Sequence, residues 1–201
     1  MLGIFMCPAL HATTAYTTFS GENFDPDISI DTQGQDAQKF SPTVSGILLS
    51  LTFAIGTSPN ADPINNIEDV FLYADAAGAP GAVLESLSVN AGSFHDPSVD
   101  RADLVVTVNS VTNPMLIAGN NYWVGLETAN PGTNPVIWYF GFGSDPGIQV
   151  FFKGAWVPED PQPTTPLSLS VQVGSVPEPA TWVLLSAGLI GLAFLQRRRF
   201  V

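Results

Sequence analysis

The chain has 201 residues, 18 of them acidic and 6 basic, for a formal net charge of −12. So acidic a polypeptide would repel the phosphates of nucleic acid, and its single cysteine, Cys7, cannot build a disulfide framework. With 18 glycines and 17 prolines, and no ectodomain stretch that keeps a 3.6-residue apolar period for three turns, the composition points to strands and turns rather than helices.

Residues 1–10 (MLGIFMCPAL) are apolar and lead into His11-Ala12-Thr13-Thr14-Ala15. This pattern predicts a signal peptide over 1–15, with small residues that admit cleavage after Ala12 or Ala15. A basic leading region is missing, as expected if translation starts further upstream. Ile4-Phe5-Met6 lacks the small residue a lipoprotein signal places beside its cysteine, so Cys7 is expected to leave with the signal. The remaining ectodomain, 16–174, then has no thiol for a disulfide or a nucleophile. Residues 13–176 hold 17 of the 18 acidic residues and only Lys39, Arg101 and Lys153 as bases, 3 − 17 = −14. That charge suits an exported protein that must stay soluble, and it also attracts divalent cations.

Alternation runs through the ectodomain. Ile47, Leu49, Leu51, Phe53 and Ile55 are spaced to face one way, with Leu48, Ser50, Thr52 and Ala54 facing the other. Further strands are predicted over 67–73, 83–89, 104–109, 121–128, 136–142, 148–152 and 167–173, with a turn over 76–81 and a tight hairpin at Lys153-Gly154. Eight to ten short strands at this spacing predict an all-β chain, a β-sandwich of jelly-roll type. The segments VFLYADAAGAPGAVL (70–84) and LIAGNNYWV (116–124) resemble the choice-of-anchor R ectodomain. There a strand leads into a Gly-x-Pro-Gly turn, and an Ala-Gly-x-x-Tyr-Trp turn opens a neighbouring hairpin. The resemblance implies a fold and no activity.

Three constellations could carry chemistry. The mature domain's one histidine, His95 in Phe94-His95-Asp96-Pro97, stands without a Gly-x-Ser-x-Gly elbow, so no triad is predicted and no catalytic residue is assigned. Paired carboxylates for glycoside hydrolysis can be drawn from 17 acids, but their number alone selects none. Hard oxygen ligands gather at Asp25, Asp27 and Asp31, and again at Asp62, Glu68 and Asp69. Either group offers a structural calcium site, or only the Asp and Asn of exposed turns. Aromatic residues crowd the second half, and Trp138 and Trp156 are candidates to stack on sugar rings or to pack a sheet face.

The last 27 residues, 175–201, have a different logic. Pro177-Glu178-Pro179 precedes a 16-residue uncharged run, 180–195, and the tail 196–201 carries Arg197, Arg198 and Arg199. As a helix the run would be roughly 24 Å long at about 1.5 Å per residue, a marginal span of a hydrocarbon core about 30 Å thick. The arginines should remain cytoplasmic as the membrane stop, placing the ectodomain outside. The prolines hold Glu178 extended, the shape a protease cleft accepts. Tripeptide, apolar helix and basic end resemble the PEP-CTERM sorting signal of Gram-negative bacteria. The resemblance implies processing by an exosortase, transient membrane anchoring, and export to the cell surface or extracellular matrix with exopolysaccharide. The ectodomain is then expected to be non-enzymatic. A secreted hydrolase using acidic residues and a plain membrane-tethered domain are the alternatives.

Overall fold

A computed structural model describes residues 11–19, 35–57, 67–90, 105–128, 136–143, 147–152, 155–158, 165–174 and 188–189. The named elements are all strands: β1 Ala12–Thr17, β2 Gln35–Phe40, β3 Gly46–Thr57, β4 Ile67–Ala76, β5 Ala79–Asn90, β6 Val105–Asn109, β7 Met115–Leu116, β8 Tyr122–Thr128, β9 Val136–Trp138, β10 Ile148–Phe152, β11 Ala155–Pro158 and β12 Ser170–Gly174. They form two six-stranded antiparallel sheets. The first runs β1-β12-β3-β6, with β7 and β9 also pairing with β3; the second runs β11-β10-β2-β8-β4-β5. Most connections cross from one sheet to the other, so strands near in sequence close a common core from opposite sides.

That core is continuous. Ala15 from β1, Leu48, Leu51, Phe53 and Ile55 from β3, and Val171 and Val173 from β12 meet Phe40, Val70, Leu72, Val124 and Leu126 of the second sheet. The sheets are also stitched by the Leu167 N–H, which donates to the buried Gln38 Oε1. Thr18 adds a second tie within the first sheet, its hydroxyl donating to Leu167 O and accepting from Leu169 N, each at 2.7 Å.

The alternation expected along β3 changes phase. Gln172 pairs with Ser50 but Val173 pairs with Leu48, so Leu49 is the extra residue of a β-bulge. Leu48 is therefore buried on the N-terminal side of the bulge, and Leu51, Phe53 and Ile55 on the other, while Ile47 and Leu49 are only half-buried. Three strands lie outside those predicted: β1, which overlaps the expected signal; β2, written QDAQKF; and the two-residue β7. The expected strand over 136–142 is shorter, ending at Trp138, with Phe140 continuing as a single bridge to Leu167. Phe152 pairs with Ala155, so Lys153 and Gly154 alone join β10 to β11, as their spacing predicted.

The pairing also fixes the place from which the C-terminal tail departs. Ala12, Gly174, Ile47 and Met115 lie in one row across β1, β12, β3 and β7. Gly46 completes this end, since a Cβ there would meet Gly174 O at 2.4 Å, a separation no side chain tolerates. The chain thus enters its first strand and leaves its last at the same edge of the molecule. None of the six strands of this first sheet contains Asp, Glu, Lys or Arg.

Candidate functional site

The outer face of the second sheet carries the aromatic side chains left over from the core. In register, Tyr73 of β4, Trp123 of β8 and Lys39 of β2 form one row, and Phe71, Gly125 and Ala37 the next. Small residues in the second row make room for the large ones of the first: a Cβ on Gly125 would approach Tyr73 Cε2 to 3.0 Å. Tyr73 and Trp123 are buried with Ala37 in a second small core, against which Phe71 and Trp156 pack. Trp123 Nε1 donates to Asp75 Oδ1 at 2.7 Å, and Lys39 Nζ stands 5.7 Å from the Trp123 ring centroid. Asp75 Oδ2 also accepts from Gly78 N at 3.1 Å, tying the β4–β5 turn to this cluster.

From Tyr73 a ladder of rings crosses the face. Its ring lies 5.8 Å from Phe71 and 5.8 Å from Trp156, and Trp156 lies 5.2 Å from Phe151, the last two contacts edge-to-face. Phe151 at the end is 38% exposed. Beside the ladder runs a polar row, in which Asp69 of β4 sits directly across from Glu127 of β8, and Glu127 from Gln35 of β2. The Gln35 amide donates to Glu127 Oε2. The Tyr73 hydroxyl is pushed up to about 12, by burial first and then by the Glu127 carboxylate, so it stays protonated and available as a donor throughout the physiological range.

Trp156 and Trp138 have different fates. Trp156 is half-buried on this outer face. Trp138, the other candidate for sugar stacking, does not belong to it: it is 0% exposed, its Nε1 donates to Ser168 O at 2.8 Å, and it packs edge-on against Phe53. No sugar ring can reach it. Sequence alternation signals that half of a strand's residues face outward, but which half depends on the pairing partner. Here β9 pairs with the end of β3 and points Trp138 into the sandwich.

Of the expected metal ligands, Asp25, Asp27, Asp31 and Asp62 lie outside the described residues. Glu68 and Asp69 fall in β4, and Asp69 enters the polar row above. Among the described residues no group of three or more His, Cys, Asp or Glu could hold a metal ion. The sorting residues Pro177, Glu178 and Pro179, and Arg197, Arg198 and Arg199, also lie outside the described residues. Of the expected apolar helix, Gly188 and Leu189 are described, in helical conformation and exposed. Among the described residues no helix is long and apolar enough to cross a membrane.

A sandwich whose last strand runs straight into a Pro-rich junction, an uncharged stretch and a basic end defines the class: an exported domain with a C-terminal sorting tail. The profile of the PEP-CTERM protein-sorting motif matches residues 175–199, beginning one residue beyond β12. The motif marks the chain for export, membrane association and sorting by an exosortase. No curated protein shows a sequence match to the chain.

Proposed function

We propose that the protein is a non-enzymatic surface or matrix module: a jelly-roll ectodomain of the choice-of-anchor R kind, presented by its tail, released by exosortase processing, and held by exopolysaccharide. The observation that carries the reading is the sorting motif directly abutting a complete sandwich, which leaves no room for a further domain between cargo and address. Setting aside β7, β9 and the β10–β11 hairpin, the strands order as first-eighth-third-sixth and second-seventh-fourth-fifth, a jelly roll's double Greek key. The tail's apolar run is taken to form a helix over 180–195 that spans the membrane until it is removed.

The ring ladder of Phe71, Tyr73, Trp156 and Phe151 is where a sugar chain would rest, since sugar rings offer apolar C–H faces to an aromatic plane. Asp69, Glu127 and Gln35 flank it with hydrogen-bonding groups, and their negative charge favours a neutral polymer over an acidic one. Phe151→Ala and Trp156→Ala variants that unfold at the wild-type temperature should lose retention on the host's own polysaccharide in affinity electrophoresis. Unchanged retention would remove this face from the account.

The cross-strand pair Asp69 and Glu127 gives the hydrolase alternative its most specific location, because opposed strand positions bring side chains about 5 Å apart, near the carboxyl separation of a retaining glycosidase. Activity of the purified protein in zymograms of that polysaccharide, abolished by Glu127→Gln, would replace the binding reading with this one.

A further inference from the structure

The end of the sandwich that bears Gly174 gathers exposed apolar side chains. Val111 is 78% exposed, Ile117 51%, Met115 48% and Val44 37%. These four side chains belong to the two segments beside the tail's exit: Met115 is the neighbour of Ile47, itself paired with Gly174. Val44 and Ile117 lie in loops laced together by Ala118 N to Ser45 Oγ at 2.9 Å and Gly119 N to Pro42 O at 2.9 Å. The Ile117 N–H donates to the Tyr122 hydroxyl at 3.0 Å. The turn that presents Val111 is clamped from below by Glu85, whose carboxylate accepts from Ser110 Oγ, Val111 N and Thr112 N at 2.6 to 2.7 Å. The apolar fringe is thus held outward by a rigid framework and cannot fold back onto the core.

The segments that carry these side chains hold no charge of their own. No Asp, Glu, Lys or Arg occurs over 40–61 or 104–126, in a chain with 18 acidic residues. Of the carboxylates near this end, Glu85 is buried beneath its turn, and Asp75, on the second sheet, is held by Trp123 Nε1 and Gly78 N. Between the exposed apolar side chains stand only hydroxyls and amides, from Ser41, Thr43, Ser45, Asn113 and Asn120. Only five residues separate Gly174 from Ala180, where the apolar run begins, a reach of at most about 22 Å for a fully extended chain. Once the tail is in the bilayer, this end cannot stand far from the headgroups. Neutral polar groups interleaved with apolar side chains match the composition of the lipid interface, and an anionic lipid surface would repel any acidic residue placed there.

We infer that this end is a membrane-docking surface: Val44, Val111, Met115 and Ile117 rest in the interfacial layer of the outer leaflet while the tail is inserted, holding the ectodomain upright over the processing site. The inference rests on the tail's insertion, proposed above, and the test separates the two. In a Cys7→Ser background, the full chain is labelled with a fluorophore at Met115→Cys, Ile117→Cys, Leu189→Cys or Phe142→Cys. Each is reconstituted in phosphatidylethanolamine–phosphatidylglycerol vesicles with brominated acyl chains. Phe142 is the control, because it is also exposed but lies at the opposite end, its N–H donating to Thr18 O. The expected result is loss of fluorescence at 189, 115 and 117 and none at 142. Loss at 189 alone would overturn the docking surface and leave the tail's insertion standing. Loss at 142 equal to that at 115 and 117 would show the domain lying unoriented on lipid, and also overturns it. No loss at 189 would overturn both.

Discussion

Glu85 shows how one residue can hold a surface feature by way of a buried charge. Burial alone would raise its carboxyl, but hydrogen bonds from the Ser110 hydroxyl and the Thr112 and Val111 amides outweigh that and hold it below the usual 4.5. A depressed carboxyl stabilises the fold fully above its ordinary range, and that stabilisation is lost as the pH falls through the folded value. Glu85→Gln keeps an acceptor but not the charge, so it should cost about 1 to 2 kcal/mol at neutral pH and flatten the loss of thermal stability below pH 4.5. An acid limb as steep in the variant as in the wild type would show that other carboxylates control it. The role was not legible in the sequence, where Glu85 is one acid among 18, because it depends on β5 and the β6–β7 turn meeting across the edges of the two sheets. Ala77 was likewise opaque: it sits at φ 56 beside Gly78 at φ 90, the two-residue hairpin geometry usually written Asn-Gly.

Among the elements, β12 matters most, since it lies between β1 and β3 and is the last part of the ectodomain to emerge during export. The first sheet therefore cannot close until translocation has reached the sorting tail. A chain ending at residue 169 should lose cooperative unfolding in circular dichroism, whereas one ending at 176 should melt as a single transition. A cooperative transition in the shorter chain would show that β1 and β3 close the sheet without β12. Strands buried on one face were readable from their alternation, as β4, β8 and β10 attest. The strand β2 was not, because Asp36 and Gln38 face inward where apolar residues are expected. The strand β1 was masked by its likeness to a signal peptide's end, and the inward face of β3 was misassigned by one bulge. Of the candidate site, the presence of aromatic residues was legible, but not which of them face outward: Trp156 is half-buried on the outer face, and the burial of Trp138 follows from tertiary pairing that its own sequence does not encode.

At the scale of the molecule, charge and attachment are separated. The described strands of the second sheet carry Asp36, Lys39, Glu68, Asp69, Asp75, Glu85 and Glu127, and those of the first carry none. Both chain exits lie at the edge of that neutral sheet, where Ala12 pairs with Gly174. This geometry bears on the leader as well. Ala15 is in the core and its carbonyl accepts from the Thr43 N–H at 2.7 Å, so of the two cleavage positions read from the sequence, cutting after Ala12 preserves β1 and cutting after Ala15 removes most of it. The most direct measurement is the intact mass of the mature protein recovered from its host. The account predicts a single species that begins at Thr13 and has lost the apolar run together with Arg197, Arg198 and Arg199; a mature mass that still includes those three arginines would contradict it.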